Sequence, residues 1–76
     1  MNATHYDHKK LAKLREEKIT QKELAEQLGV VEMTIYRAEN GITASYELLL
    51  RICNAIGADI REILTVESTK NFSITA

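Results

Sequence analysis

Apolar residues recur at helical spacing along most of the 76-residue chain, with polar residues between them. The pattern predicts an all-α fold of five short helices. Proline is absent and strong helix formers dominate, which favours the same class. The predicted helices run from a cap at Asp7 or Thr4 to about Lys18, from Gln21 to Leu28, from Val31 or Glu32 to Asn40, from Tyr46 to Ile56, and from a cap at Asp59 to Leu64.

The stretch from Thr20 to Gly41 has the pattern of two helices joined by a tight turn. Thr20 and Glu23 have the spacing of a capping box, in which each side chain bonds the other residue's backbone N–H. Gly29 stands where the first of the two helices should end on a left-handed residue. Such a pair is typical of the helix-turn-helix motif, whose second helix enters the DNA major groove.

These residues resemble the phage repressor/Cro-type (XRE) helix-turn-helix family. The similarity covers roughly Leu11 to Leu64 and needs no gap from Thr20 onward. It implies a compact repressor-like DNA-binding domain over residues 7–64, preceded by a flexible N-terminus at residues 1–6. The matching residues are Gln21, Glu23, Leu24, Ala25, Leu28, Gly29, Val30, Thr34, Ile35, Arg37, Glu39, Asn40 and Gly41.

The resemblance and helix geometry together assign the base-reading residues. In this family the first turn of the second motif helix points into the major groove, and the matching positions are Val31, Glu32 and Met33. Arg37 lies four to five residues further on and shares their face. Its guanidinium can bond guanine O6 and N7 together, and Glu32 can accept from cytosine N4. Val31 and Met33 can contact a thymine methyl group.

Phosphate contacts are expected around this face. In similar proteins a glutamine at the position of Gln21 bonds a phosphate, helped by the positive end of its helix. Lysines are concentrated on and just before the first motif helix, which fits a phosphate-facing patch, while the interleaved glutamates also fit an ordinary solvated face. The expected phosphate-contacting residues are Gln21, Lys22, Thr34, Tyr36, Asn40, Thr43, Lys9, Lys10 and Lys13.

One pair has a structural role that the resemblance implies. Arg15 on the first helix matches an arginine that pairs with the glutamate at Glu39, and the pair fixes how the first helix meets the second motif helix. Two features depart from the family pattern. The turn before Thr20 is one residue shorter than usual, and Val31 replaces the usual Ser or Thr cap, a change that costs about 1 kcal/mol.

Composition narrows the class of protein and its location. The net charge is −1, and the single Cys53 lies within an apolar helical stripe, where a buried structural thiol is expected. No apolar run approaches the ~20 residues that span a bilayer, and the N-terminus lacks a signal-peptide core, so a cytoplasmic location is expected. His5 and His8 have no third ligand nearby, so no metal is expected. The sequence indicates no cofactor, no small-molecule ligand and no enzymatic site.

The tail from residue 65 to residue 76 carries alternating apolar residues. It predicts either a disordered end or a short strand that pairs with its copy in a second subunit. A homodimer is expected, because a core of this size is marginal and one helix reads few base pairs. The candidate interface residues are Ile60, Phe72 and Ile74.

The predicted function is a sequence-specific transcriptional regulator, a repressor that binds double-stranded DNA at a palindromic operator as a homodimer. Two alternatives stay open. One is an antitoxin that binds a toxin protein as well as its operator, and the other is a restriction-modification controller. The sequence does not distinguish them, and it does not give the operator.

Overall fold

The computed structural model describes residues 5–42 and 44–64, and this part of the chain is helical. Four α-helices, α1 (His8–Glu16), α2 (Gln21–Leu28), α3 (Glu32–Glu39) and α4 (Tyr46–Ile56), are followed by one turn of 3-10 helix at Ile60–Glu62. α2 packs against α3 and α4, α1 packs against α3, and the 3-10 turn packs against α4. The predicted all-α class is therefore confirmed. None of these helices is both long and apolar enough to cross a membrane.

The predicted fifth α-helix is wrong, because the segment forms only a 3-10 turn. Asp59 and Glu62 make the expected capping box. The chain beyond the turn is then held by the N-terminal segment, since the Asp7 N–H donates to the Ile63 carbonyl oxygen at 2.7 Å. Leu64 forms an isolated antiparallel bridge with Tyr6. A helix continuing past Glu62 would need these backbone groups for its own hydrogen bonds.

The N-terminal segment is packed from Tyr6 onward, although residues 1–6 were expected to be loose. The Tyr6 hydroxyl donates to the Ala38 carbonyl oxygen at 2.5 Å, in the last turn of α3. Burial raises the pKa of this hydroxyl. Asp7 caps α1 by accepting from the Lys10 N–H, as predicted. Tyr6 therefore joins the segment before α1 to the end of α3.

The core lies where the apolar faces of the four helices meet. Cys53 is buried in it, and desolvation, reinforced by the nearby Glu62 and Asp59 carboxylates, raises the pKa of its thiol to about 11. The predicted structural thiol is therefore in place. The fully buried large side chains are Leu11, Leu24, Ile35, Leu49, Ile52, Ile63 and Cys53.

The helix ends depend on glycines with positive φ. At Gly29 (φ 71°) the Val30 N–H returns to the Ala25 carbonyl, which ends α2 and aims the chain at α3. Gly41 (φ 71°) ends α3 in the same way, with the Ile42 N–H on the Arg37 carbonyl. A Cβ on Gly41 would also lie 2.7 Å from His8 Nδ1. Gly41 thus serves both the turn and the packing of α1 against α3.

We expect Gly41→Ala to destabilise the fold more than Gly57→Ala. Both positions have positive φ, which costs a residue with a Cβ about 1–2 kcal/mol. Only at Gly41 would the new methyl group displace His8, because nothing lies within 4 Å of a Cβ at Gly57. Chemical denaturation of both variants measures the difference. Equal losses would show that the His8 ring moves aside without consequence.

Candidate nucleic-acid interface

A buried carboxylate joins three helices at the centre of the site. Glu39, the last residue of α3, accepts from Arg15 Nε at 2.6 Å and from Arg15 Nη2 at 2.8 Å. Its Oε1 also accepts from Gln21 Nε2 at 2.8 Å. The hydrogen bond to Glu39 raises the pKa of Arg15. This Glu39 network fixes α1, the start of α2 and the end of α3 relative to one another.

Arg15 also closes the turn between α1 and α2. Its backbone carbonyl accepts from both Lys18 and Ile19, and its Nη1 donates to the Ile19 carbonyl at 3.0 Å. α1 therefore ends at Glu16 instead of the predicted Lys18. These bonds close the short connection between α1 and α2.

The start of α2 presents unpaired backbone donors. Thr20 and Glu23 form the predicted capping box, in which Thr20 Oγ1 accepts from the Glu23 N–H at 3.1 Å. Bonds from the Thr20 backbone N–H and hydroxyl lower the pKa of Glu23. The backbone N–H groups of Gln21 and Lys22 have no acceptor in the part of the chain that the structure describes. They are free to meet an anion at the positive end of the helix.

The outward face of α3 carries a mixed set of exposed side chains. Val31 precedes the helix without a side-chain cap, as predicted, and is 68% exposed. The Arg37 guanidinium makes no hydrogen bond or ion pair with any residue in 5–42 or 44–64. The opposite face packs Ile35 and Ala38 into the core. The other exposed residues of this face are Glu32, Met33 and Tyr36.

The second edge of this face lies beside the start of α4. Thr34 and Arg37 line a shallow depression together with Ala44, Ser45 and Leu48. Asn40 is exposed, and its Nδ2 donates to the Tyr36 carbonyl at 2.8 Å. Thr43, the remaining predicted contact here, lies outside the described residues.

The three lysines of α1 lie apart from α3. A Cβ on Gly41 would lie 2.7 Å from His8 Nδ1, and Arg15 bonds Glu39, so His8 and Arg15 mark the side of α1 that faces α3. At 100° per residue, Lys9, Lys10 and Lys13 fall on the opposite, exposed side. The structure therefore brings Gln21 to the end of α3 but does not bring the α1 lysines to that surface.

A model of a helix-turn-helix family matches residues 11–63. The chain belongs to the XRE-type helix-turn-helix family. No curated protein and no solved structure gives a significant match. Membership makes α2 and α3 the two motif helices, with α3 as the recognition helix. The family is a DNA-binding regulatory one, so this XRE-type protein is a DNA-binding transcription regulator.

Two features of the XRE-type domain were not predicted from the sequence. Gln21 bonds Glu39 inside the protein, whereas the expectation was a phosphate contact; only one of its two amide hydrogens is used. Tyr6 bonds the end of the recognition helix from a segment expected to be loose. Both bonds join residues that are distant in sequence, so no local spacing predicts them.

The predicted dimer residues find little support in the described part of the domain. Ile60 is only 8% exposed and belongs to the core, so it has almost no surface to offer a second subunit. Phe72 and Ile74 lie outside the described residues.

We expect Arg15→Ala and Glu39→Ala to be strongly coupled. Removing one partner leaves the other charge buried, a loss of about 3–5 kcal/mol, whereas removing both leaves none. The double variant should therefore lose less stability than the sum of the single losses, by about 0.5–3 kcal/mol. DNA binding should weaken without a change in the preferred sequence.

A double-mutant cycle by chemical denaturation measures this coupling. The exposed pair Asp59–Arg61 provides the control, and its two changes should be close to additive. Additive losses at Arg15 and Glu39 would show that the buried pair does not fix the helices.

Proposed function

We propose that this XRE-type protein is a repressor that binds a palindromic operator as a homodimer. One observation carries the proposal. The outward side chains of α3 are exposed, while the Glu39 network holds this helix to both α1 and α2. A recognition helix needs this combination of free side chains and a fixed axis. We place the protein in the cytoplasm, where it reaches DNA.

The base readers form a set with one donor, one acceptor and two apolar contacts. Arg37 supplies the donor fork for guanine, and its guanidinium is unengaged within residues 5–42 and 44–64. Glu32 supplies the acceptor for cytosine N4. Val31 and Met33 meet thymine methyl groups. We therefore expect a half-site that combines a guanine, a cytosine and at least one thymine.

Phosphate contacts flank these readers. The free N–H groups at the start of α2, with Lys22, meet the backbone on one side of the groove. Thr34, Tyr36 and Asn40 serve the other side, and Gln21 reaches a phosphate through its second amide hydrogen. The lysines Lys9, Lys10 and Lys13 face away from α3, so their main effect is long-range attraction to DNA.

The operator should be palindromic because a homodimer is two-fold symmetric. Two recognition helices read half-sites whose centres are about one helical turn, ~34 Å, apart on one face of the duplex. A dimer bound there excludes other proteins from the DNA it covers, and an operator that overlaps a promoter is then repressed.

Selection of bound DNA from a random pool with the full-length protein tests this function. The expected product is a family of sequences with inverted half-sites. A pool that shows no enriched sequence would overturn the proposal, and enrichment of a single unrepeated half-site would overturn its dimeric part. A promoter fusion then distinguishes repression from activation.

We expect Arg37→Ala to cost about 1–3 kcal/mol of affinity on the selected site and to relax the choice of base at one position in each half-site. Arg37→Lys is the matched control, because it keeps the charge and loses the planar fork. It should restore part of the affinity but not the base preference. Binding to a panel of single-base operator variants measures both effects. If Arg37→Lys keeps the wild-type preference, Arg37 is a phosphate contact and readout falls to Glu32 and Met33.

We expect Lys22→Ala to flatten the dependence of log K on log salt by about 0.9, the contribution of one phosphate contact. Arg61→Ala is the control, since it removes the same charge from the 3-10 turn, where Arg61 already pairs with Asp59. Its slope should equal that of the wild type. Affinities between low and moderate salt give the slopes. Equal slopes in all three proteins would exclude Lys22 as a contact.

A further inference from the structure

Large apolar side chains are exposed in two groups within the described residues. One group, Val31, Met33 and Tyr36, belongs to the DNA-facing side of α3. The other comprises Ile42, Tyr46 and Leu50, which are 62%, 40% and 36% exposed. Tyr46 and Leu50 are four residues apart and share one face of α4, while Ile42 lies in the turn that leads into this helix. The residues of α4 that pack in or against the core are Leu48, Leu49, Ile52, Cys53 and Ile56. Tyr46 and Leu50 are not among them.

Two opposite charges follow this apolar pair at the same spacing. Glu47 and Arg51 are both exposed and four residues apart. The Glu47 carboxylate has no hydrogen-bond or ion-pair partner in the described ranges. Arg51 gives one N–H to the Leu28 carbonyl and keeps its other donors. We call the four residues Tyr46, Glu47, Leu50 and Arg51 the α4 stripe.

A two-fold axis across α4 makes the α4 stripe complementary to itself. When two copies of α4 cross antiparallel near residues 48 and 49, Tyr46 of one copy lies near Leu50 of the other. Glu47 likewise lies near Arg51 of the other copy, and symmetry repeats both contacts. A parallel crossing would instead set Glu47 against Glu47 and Arg51 against Arg51. The charge order therefore selects the antiparallel arrangement.

We propose that the α4 stripe is the surface through which two copies of this chain dimerise, with their α4 helices antiparallel. The proposal rests on the proposed function, because a palindromic operator requires two copies.

The small size of the α4 stripe has a consequence for assembly. A few side chains per copy bury less surface than a stable dimer interface, so the free dimer is weak. DNA brings the two copies together at high effective concentration, and the same contact then becomes cooperativity on the operator. The protein should therefore occupy both half-sites over a narrow concentration range.

The first test compares Leu50→Lys with the wild type by sedimentation equilibrium of the full-length proteins. The variant should raise the dimer dissociation constant by at least about tenfold, because two leucines leave the interface and two like charges enter it. Gln27→Lys, an exposed change on α2, is the matched control and should dimerise as the wild type does. An unchanged constant for Leu50→Lys, or a wild type that stays monomeric up to about 1 mM, would overturn the proposal.

The second test exploits the charge order. Glu47→Lys and Arg51→Glu each place like charges across the antiparallel interface, so each variant alone should dimerise at least about tenfold more weakly. Mixed in equal amounts, they regain opposite charges at both contacts and should form a heterodimer. A parallel arrangement predicts a different result, because its wild type already holds like charges: the single variants would then be no weaker than the wild type, and the mixture would bind more tightly than the wild type. A mixture as weak as its components would overturn the antiparallel interface.

Folding and DNA binding are checked separately. Arg51→Glu loses the bond to the Leu28 carbonyl, so thermal melting is used to show whether this variant folds. If Arg51→Glu does not fold, Glu47→Lys and Leu50→Lys, which keep that bond, decide whether the α4 stripe is the dimer interface. A duplex with one half-site tests DNA binding without dimerisation. Dimers that bind neither duplex would overturn the proposed function alone, whereas Leu50→Lys binding a full operator as cooperatively as the wild type would overturn the interface alone.

Discussion

The bonds between Arg15, Gln21 and the Glu39 carboxylate are the constraint on which the rest of the structure depends. α3 is short and gives only one side to the core, so apolar packing alone leaves it free to rotate and slide. A buried carboxylate with three directed donors removes that freedom, because each bond is short and the donors come from two helices, two from Arg15 on α1 and one from Gln21 on α2. The orientation of the exposed side chains of α3 therefore depends on this residue at the end of the helix.

The two ends of the recognition helix are held in different ways. The first turn enters without a side-chain cap, since Val31 occupies the position where a hydroxyl would bond the backbone. The last turn is correspondingly well held, by the Tyr6 hydroxyl on the Ala38 carbonyl and by Gly41 against His8. Val31 and Met33, which are exposed at this turn, are the residues that we propose contact thymine methyl groups. The bonds that hold α3 are therefore concentrated at its C-terminal end.

α4 borders both the proposed reading face and the proposed dimer surface. Its buried face completes the core, its first turn lies beside Thr34 and Arg37, and its exposed face carries the α4 stripe. If both proposals hold, a change in this helix affects stability, base readout and oligomeric state together. Variants on its exposed face separate these effects, because they leave the core untouched.

Local sequence determined the α-helices and their caps. Thr20 with Glu23, Gly29, Ser45 and Gly57 mark helix ends through bonds within a few residues, so their spacing was sufficient to place α2 and α4. The family pattern supplied the Arg15–Glu39 pair and predicted the reading face.

Tertiary structure decided the rest. It reduced the fifth helix to one turn by committing Ile63 and Leu64 to the N-terminal segment, and turned Gln21 inward to Glu39. It also buried Ile60 while leaving Tyr46 and Leu50 exposed. Periodicity shows that a residue is apolar and on a helix face, but only the packing of distant segments decides whether that face meets the core, DNA or a second copy.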